Sequence, residues 1–339
     1  MEYRYIGKTG LRVTPICLGT MTFGTSCDEK LSFEILDRAY EAGINFYDTA
    51  EIYPVPPTAK LYGKTEEILG RWLKTKPRDS IILASKVAGA SNGWFVPPVR
   101  HGLTAIDRFH IERAIEGSLK RLDTDYIDLY QMHWPDTLVP IDESLEAFDR
   151  LIQAGKVRYL GTSNDTAYGL TKALYGSRAK GFKRFESIQN NFSILNQRFL
   201  DSISEVCKAE QVSLLPYSPL AGGVLTGKYN QKFLPDGARF TLYKQNSSPR
   251  VQAMADRFLN ENTLKSTEKY MQIAQKYGMS VTTLATAWSM NFDFVASTII
   301  GATKVEHLDD TLKALDIKLS KELLHECTKV HKEIQYPMG

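Results

Sequence analysis

The stretch Gly43–Tyr53 holds an acid and a phenol at a spacing that suits proton transfer. A short apolar run ends at Asp48, and Tyr53 follows five residues later, just before Pro54. Because glycine and proline bound the run, it predicts one buried strand that leaves the core into a loop. Taken alone, the stretch fits equally an aspartate that caps a turn and a tyrosine that covers the mouth of the fold.

Polar side chains, or in one case a glycine, follow each apolar run along the chain. In order these positions are Asp48, Lys86, His133, Ser163 with Asn164, Gln189, Tyr217 and Gly301. One such residue is easily structural, since a lysine often pairs with a carboxylate and a lone histidine is usually hydrogen-bonded in a core. Four chemically matched groups at four positions on the rim of the barrel are harder to explain that way. Asp48, Tyr53, Lys86 and His133 therefore form the predicted catalytic set.

The chemistry of this set is proton donation to an oxygen that gains charge. An ammonium at Lys86, held by Asp48, is expected to lower the pKa of Tyr53 from its free value of about 10. A tyrosine tuned in this way can protonate an alkoxide near neutral pH, and His133 can donate a hydrogen bond to the same oxygen. None of these groups supplies an electron pair to a carbonyl carbon. The set therefore implies a hydride-donating cofactor.

Eight strand–helix units are predicted to position these residues. An N-terminal hairpin over residues 3–13 precedes the first strand, Ile16–Gly19. The later strands are predicted to be the run ending at Asp48, Ser80–Lys86, Tyr126–His133, Val157–Gly161, Phe185–Gln189, Val212–Tyr217 and Ala296–Ile300. The intervening helices are predicted to be Ser32–Glu41, Lys64–Thr75, Phe109–Leu122, Ser144–Ala154, Ala167–Tyr175, Leu200–Glu210, Leu264–Asn291 and Val305–Leu315, with a last one over Lys321–Glu333.

This alternation indicates an α/β fold, a (β/α)₈ TIM barrel with an N-terminal β-hairpin. The strands are apolar throughout, as expected for parallel strands covered by helices. Residues 1–339 are expected to form a single domain, since no linker divides them. Two long connections, about Val87–Arg108 and about Lys228–Leu264, are expected to shape the site at the C-terminal face.

Composition excludes several other classes of function. The net charge of +3 is small for 339 residues and no dense basic block occurs, so we expect no nucleic-acid partner. The four scattered cysteines have no zinc-binding spacing, so we expect reduced thiols, a cytoplasmic protein and no metal site. No signal-peptide core or membrane-spanning apolar run is evident. The oligomeric state stays open.

The motifs together resemble the aldo-keto reductase family over nearly the whole chain. Asp48, Tyr53, Lys86 and His133 match the family's tetrad in order and in strand context. Further matches are Gly19–Gly24, Gly161–Asn164, Gln189–Asn190, Tyr217–Leu220, Gly227–Tyr229 and Ile300–Thr303. Within the family, Ala50–Pro57, Gln131–Pro135 and Tyr336–Pro337 are most similar to the bacterial Tas-type branch, which is related to potassium-channel β subunits.

The resemblance implies an NADPH site, although the chain has no Gly-x-Gly-x-x-Gly fingerprint after a strand. It implies that Ser163, Asn164 and Gln189 hold the nicotinamide carboxamide, that Tyr217 stacks on its ring and that Ser218–Lys228 wraps the pyrophosphate. Arg239 is implied as a phosphate contact, and Gly301–Thr311 as the site of the 2′-phosphate. The full implied set is Gly19, Thr20, Met21, Asp48, Ser163, Asn164, Gln189, Tyr217, Ser218, Pro219, Leu220, Ala221, Gly222, Leu225, Gly227, Lys228, Arg239, Ile300, Gly301, Ala302, Thr303, Lys304, His307, Asp310 and Thr311.

The chain departs from the family pattern near the expected adenosine. Many members have Arg or Gln at the position of His307, and a Glu-Asn pair at Asp310 and Thr311. Lys304 still favours the phosphorylated cofactor, because it supplies one positive charge. Lys304 and His307 could also be an ordinary solvated start of a helix.

Three other functions are compatible with parts of the pattern. A cofactor-binding regulatory subunit would keep the barrel, but such relatives typically carry Asn at the position of His133. A Schiff-base aldolase could use Lys86 as its nucleophile. That chemistry needs a lysine with a lowered pKa, and Asp48 would raise the pKa of Lys86. A metal-dependent hydrolase lacks a partner at ligand spacing for His133.

An aromatic-rich mouth is expected to accept aromatic or apolar carbonyl substrates. The candidate lining residues are Met21, Phe23, Tyr53, Trp94, Phe95, His101 and Trp134. Ordinary loop packing would explain Trp94 and Phe95 equally well.

Overall fold

The computed structural model of the protein describes residues 2–88, 93–96 and 105–338. An antiparallel hairpin of β1 (Arg4–Tyr5) and β2 (Arg12–Val13) precedes eight parallel strands. These strands are β3 (Ile16–Gly19), β4 (Phe46–Asp48), β5 (Ile82–Val87), β6 (Ile127–Met132), β7 (Val157–Ser163), β8 (Phe185–Gln189), β9 (Ser213–Leu214) and β10 (Thr298–Ile300). They pair in the order β10-β3-β4-β5-β6-β7-β8-β9. Bridges from Leu214 to Val295 and from Tyr217 to Ile299 join the two edges, which confirms the (β/α)₈ barrel.

Twelve helices are described around the sheet. They are α1 (Glu29–Glu41), α2 (Lys64–Leu73), α3 (Arg108–Leu122), α4 (Ile141–Gln153), α5 (Ala167–Lys180), α6 (Ile203–Glu210), α7 (Arg239–Lys244), α8 (Pro249–Phe258), α9 (Glu261–Lys276), α10 (Val281–Met290), α11 (His307–Lys313) and α12 (Lys321–Glu333). In the part of the chain that the structure describes, no helix has the length and apolarity needed to cross a bilayer.

The strand period of two residues places an apolar floor beneath a polar layer inside the barrel. Phe46, Ala84 and Leu129 belong to one buried cluster with Ile6 and Val13 of the N-terminal segment, which closes the barrel from below. Two residues further along the same strands stand Asp48, Lys86 and Gln131. Alternate side chains of a strand point to the same face, so each of these polar groups lies above its apolar neighbour. The polar layer therefore sits at the C-terminal end of the barrel.

Two helical predictions need correction. Leu264–Asn291 is not one helix, because the chain turns at Gly278, where φ is +70°, and Ser280 caps α10 by accepting from the Thr283 N–H. The predicted connection Lys228–Leu264 contains α7, α8 and the start of α9. α8 begins with Pro249, whose fixed φ suits a first helical turn. The predicted loop Val87–Arg108 lies partly outside the described residues, and a single domain over residues 1–339 stays a prediction.

A glycine permits close packing between α2 and α3. A Cβ placed on Gly70 would lie 2.4 Å from the carbonyl oxygen of Arg121. We therefore expect Gly70→Ala to lower the free energy of unfolding by about 1–3 kcal/mol, measured by urea denaturation. Gly176→Ala in α5 is the control, since its Cβ would meet only side-chain atoms at 3.2 Å or more. Equal effects of the two substitutions would contradict the steric argument.

Candidate active site

A buried ion pair lies at the centre of the polar layer. The Lys86 Nζ lies 2.5 Å from Asp48 Oδ1 and donates to the Thr49 carbonyl oxygen at 2.7 Å. Both charged side chains are buried. Burial lowers the pKa of Lys86, but the charges and hydrogen bonds of Asp48 and Tyr53 together outweigh burial, and the pKa is raised. Lys86 is therefore a cation at neutral pH, held from two sides.

The second oxygen of Asp48 is fixed by two amides. Gln131 Nε2 donates to Asp48 Oδ2 at 3.1 Å and Gln189 Nε2 donates at 2.9 Å. Gln189 is also one of the residues predicted at the nicotinamide, and that role stays a prediction. The sequence analysis did not identify Gln131. The strand register could have revealed it, because Gln131 pairs with Lys86 on the neighbouring strand.

Tyr53 reaches the ion pair from the loop after β4. Its hydroxyl oxygen lies 3.4 Å from the Lys86 Nζ, which also sits 4.8 Å from the centre of the tyrosine ring. Tyr53 is 8% exposed, so its phenol lies at the boundary between the barrel interior and the mouth. The structure thus brings together the three residues that the sequence predicted at this point.

The predicted pKa of Tyr53 is wrong in direction. Burial raises the pKa of Tyr53, and the charge of Lys86 opposes this rise without reversing it. Removing the phenolate from water is the larger effect, because a buried ion loses its hydration. The phenol is therefore protonated at neutral pH. The Lys86 ammonium beside it stabilises the phenolate that remains after the proton leaves.

His133 follows β6 and completes the predicted set. Its ring lies edge-on to Tyr53, with 5.8 Å between the ring centres, and stacks on Trp134 at 3.7 Å. Burial, followed by the charge of Lys86, lowers the pKa of His133 well below its usual value. The imidazole is therefore neutral and can donate one hydrogen bond. Its buried Nδ1 has no hydrogen-bond partner among the described residues.

The residues predicted at the nicotinamide form a connected chain of hydrogen bonds. The Tyr217 hydroxyl donates to Asn164 Oδ1 at 2.7 Å, and Asn164 Nδ2 donates to the His133 carbonyl oxygen at 3.0 Å. Ser163 Oγ donates to the Gln189 carbonyl oxygen at 2.7 Å. Burial raises the pKa of Tyr217 to about 12, so its hydroxyl stays a donor. These side chains join the end of β7 to His133.

The segment after β3 closes over the acid from the other side. Gly19 pairs with Asp48 in the sheet, and the Thr20 hydroxyl donates to the Asp48 carbonyl oxygen at 3.0 Å. The Met21 carbonyl oxygen accepts from the Val55 N–H at 3.1 Å. Residues 19–21 are thus tied to the loop that carries Tyr53.

The glycine-rich segment predicted at the pyrophosphate turns tightly after β9. Ser218, Pro219 and Leu220 lead into a 3₁₀ segment, Ala221–Thr226, which includes buried Leu225 and ends at Gly227. Gly222 has φ of +65°, and a Cβ there would lie 2.3 Å from the Phe240 ring. A side chain at Gly223 would meet the Lys228 Nζ at 3.1 Å. Only glycine allows this backbone to curve beneath the ammonium of Lys228.

Three cations gather beside this segment. Burial lowers the pKa of Lys228, and the charges of Arg239 and Lys304 lower it further. Burial and the charges of Lys228 and Lys304 likewise lower the pKa of His307. Among the described residues, no carboxylate forms an ion pair with Lys228, Arg239 or Lys304. Unpaired cations that repel one another mark a place for an anion.

The end of the predicted 2′-phosphate segment is engaged elsewhere. Ile300 ends β10, and Gly301, Ala302 and Thr303 lead to Lys304 and to α11, which begins at His307. Asp310 Oδ1 pairs with Lys313 at 2.9 Å. The Thr311 hydroxyl donates to the Leu308 carbonyl oxygen at 2.9 Å within the helix. Asp310 and Thr311 therefore have partners within α11, and their contact with a 2′-phosphate stays a prediction.

Apolar side chains pack around Tyr53 at the mouth. Ala50, Ile52, Tyr53 and Ala88 form a buried cluster, against which pack Met21, Val55, Tyr62, Trp94, Phe95 and Trp134. Arg250 of α8 lies 4.1 Å above the Trp94 ring and donates to the Gly93 carbonyl oxygen at 2.8 Å. Phe23, expected at the mouth, is buried in the core between strands and helices instead. His101 lies outside the described residues.

The geometry bears on two of the rival functions. Lys86 stays protonated because its pKa is raised, and a protonated amine is no nucleophile for a Schiff base. Within the described ranges, no group of three or more His, Cys, Asp or Glu residues is arranged to hold a metal ion.

Comparisons with known proteins agree on one family. A family model described as the aldo/keto reductase family matches residues 15–332. The protein Tas of Escherichia coli is 38% identical, with 99% of each chain covered. YrpG of Bacillus subtilis, described as an uncharacterized oxidoreductase, is 37% identical over 96% of this chain and 94% of its own. A probable voltage-gated potassium channel subunit beta of rice (Oryza sativa) is 32% identical over 94% of this chain and 92% of its own.

Proposed function

Because this chain belongs to the aldo/keto reductase family, we propose that it is an NADPH-dependent reductase of aldehydes or ketones, in which Tyr53 protonates the carbonyl oxygen. The observation that carries this proposal is the Tyr53 hydroxyl 3.4 Å from a buried, charged Lys86, with neutral His133 beside it. When bound, NADPH supplies the hydride, from C4 of its nicotinamide, that no side chain can supply.

Each residue of the set has a separate role in this proposal. Tyr53 holds the proton until charge develops on the substrate oxygen, and Lys86 then stabilises the phenolate that remains. Asp48 keeps Lys86 charged and in place through its 2.5 Å contact. Neutral His133 orients the oxygen by donating a hydrogen bond from one ring nitrogen. The surrounding aromatic side chains favour flat, apolar carbonyl compounds and exclude water from the reacting atoms.

The proposal is tested by turnover of purified protein with NADPH and a panel of carbonyl compounds. 4-Nitrobenzaldehyde and methylglyoxal represent aromatic and small substrates, and NADPH consumption is followed at its absorbance band. Consumption of NADPH with formation of one alcohol per cofactor supports the reductase. If none of the panel is reduced although NADPH binds, the reductase proposal fails.

The second candidate is a cofactor-binding regulatory subunit with little turnover. The similarity to the probable potassium channel subunit beta of rice favours it. The histidine at position 133 favours the enzyme, because it provides a hydrogen bond to the substrate oxygen. Binding of NADPH without turnover in the same assay would select the regulatory subunit.

The choice of NADPH over NADH rests on the cations Lys228, Arg239 and Lys304. The two cofactors differ only in the 2′-phosphate, so an unpaired cation beyond those needed for the pyrophosphate favours NADPH.

We expect Lys304→Ala to weaken NADPH binding by about 1–3 kcal/mol, or roughly 5- to 150-fold in Kd, because one charge-assisted hydrogen bond is lost. NADH binding should change much less, since NADH has no 2′-phosphate. Both dissociation constants are measured by quenching of tryptophan fluorescence. Lys313→Ala is the matched control on α11, because Lys313 is already paired with Asp310. Equal weakening of both cofactors by Lys304→Ala would place the 2′-phosphate elsewhere.

A further inference from the structure

Glu51 is a buried acid in the loop that carries Tyr53, and the predicted catalytic set does not include it. Its side chain is 1% exposed. One carboxylate oxygen accepts from the Tyr62 hydroxyl at 2.5 Å, and the other accepts from the Ala88 N–H at 2.7 Å. His110 Nε2 lies 3.5 Å from the carboxylate oxygen that accepts from the Ala88 N–H.

These contacts keep the carboxylate ionised. Burial raises the pKa of Glu51, but His110, the Ala88 N–H and the Tyr62 hydroxyl together lower it below its usual value. Hydrogen bonds to an ionised acceptor are shorter and stronger than those to a neutral one. Glu51 is therefore a strong anchor, because both of its oxygens accept such bonds.

The bonds of Glu51 connect the two halves of the catalytic pair. The Glu51 N–H donates to the Lys86 carbonyl oxygen at 3.3 Å. The Glu51 carboxylate accepts from the N–H of Ala88, which follows the last residue of β5 and lies two residues after Lys86. On the other side, the Tyr53 N–H donates to the Ala50 carbonyl oxygen at 3.1 Å, which makes the segment around Glu51 a tight turn. The backbone of Tyr53 is thus fixed to the strand end that carries Lys86.

The ring of Tyr62 lies beside Arg121, which is paired with a second buried acid, Glu66. The Arg121 guanidinium lies 5.4 Å from the centre of the Tyr62 ring, and Arg121 Nε donates to Glu66 Oε2 at 2.8 Å. Glu66 also accepts from the Ser85 hydroxyl at 2.5 Å. The anchor therefore extends from the loop after β4 through α2 and α3 to the outer face of β5.

We propose that Glu51, fixed by Tyr62, is a positioning residue that sets the distance between the Tyr53 hydroxyl and the Lys86 ammonium. This inference rests on the proposed reductase function. Glu51 acts through geometry, because the charges that bear on Tyr53 are those of Lys86 and Asp48. A shift of about 1 Å in a proton donor can lower a rate by roughly 100-fold without a change in binding.

The test variant is Tyr62→Phe, which keeps the ring and removes only the hydroxyl that holds Glu51. We expect kcat to fall by about 10- to 100-fold, while the Kd of NADPH and the KM of the carbonyl substrate stay within about twofold. The isotope effect on kcat/KM with NADPH deuterated at the transferred position should rise, since the chemical step becomes slower. A purely structural role would not separate kcat from both binding constants in this way.

Conservative replacement of Glu51 itself gives a second test of its role. Glu51→Gln keeps an oxygen for the Ala88 N–H, so its kcat should lie between those of the wild type and Glu51→Ala. If Glu51→Ala fails to fold, the comparison of Tyr62→Phe with Glu51→Gln still decides the question. Tyr277→Phe is the matched control, because Tyr277 donates to Glu326 at 3.0 Å near α12, away from Tyr53. This control should leave every parameter unchanged.

The outcomes separate this inference from the reductase proposal. Wild-type kcat in Tyr62→Phe and Glu51→Gln, with an active wild type, overturns the positioning role alone. A parallel loss of NADPH binding and kcat overturns it as well, since the residues would then support the cofactor site. A wild-type protein that binds NADPH but reduces no carbonyl overturns both proposals together.

Discussion

Tyr53→Phe is expected to lower kcat by about 100- to 10,000-fold, the range that positioned general acids contribute. Phenylalanine keeps the ring against His133 and the apolar mouth, but no proton remains at the position 3.4 Å from Lys86. NADPH binding should stay within about twofold, because the change removes an interaction made in the transition state. Stopped-flow single turnover with 4-nitrobenzaldehyde measures the chemical step directly.

The matched control for this prediction is Tyr47→Phe. Tyr47 stands beside Asp48 in β4 but points to the outer face, where its hydroxyl donates to the Ile44 carbonyl oxygen at 3.1 Å. Its loss should affect stability and leave kcat near that of the wild type. Retention of full turnover in Tyr53→Phe would remove Tyr53 from the mechanism.

Lys86→Met is expected to abolish turnover and to destabilise the fold by about 3–5 kcal/mol, because the buried carboxylate of Asp48 loses its counter-charge. The double variant Asp48→Leu with Lys86→Met should recover part of this stability, since no buried charge remains unpaired. It should recover no turnover. Chemical denaturation and single-turnover kinetics measure the two effects separately.

The difference in stability between the wild type and Lys86→Met is expected to depend on pH. The pKa of Lys86 is raised in the folded protein, so the folded state binds its proton more tightly than the unfolded state. This contribution is fully present below the unfolded pKa of about 10.4 and is lost as pH rises through the higher folded value. The stability difference between wild type and Lys86→Met should therefore be constant from neutral pH to about pH 10 and shrink above it. A difference that shrinks between pH 6 and pH 9 would contradict the assignment.

The structure brings some of the predicted site residues together and gives others partners that were not predicted. Asp48, Tyr53, Lys86 and His133 meet at one end of the barrel, and Lys228, Arg239 and Lys304 interact with one another. Gln189, Asp310 and Thr311 have partners within the protein that their strand or helix positions did not reveal. Their roles toward a cofactor, like those of the other residues assigned to it, stay predictions.

The sequence alone was sufficient to predict the barrel and the convergence of the candidate residues at one end of it. Strand periodicity is local, so the apolar runs and the polar residues that end them could be placed without knowing their neighbours. Parallel strands bring their carboxyl ends to one face, and Asp48, Lys86 and His133 therefore had to converge.

Contacts between residues distant in the chain set several features that no local pattern contains. The break at Gly278, the helices α7 and α8, the amide of Gln131 on Asp48 and the anchor at Glu51 each arise from contacts across elements. The direction of the Tyr53 pKa was decided there too, because burial depends on every element that excludes water, while the charge of Lys86 was visible in the sequence. Desolvation is a property of the packed fold, and no local pattern of residues contains it.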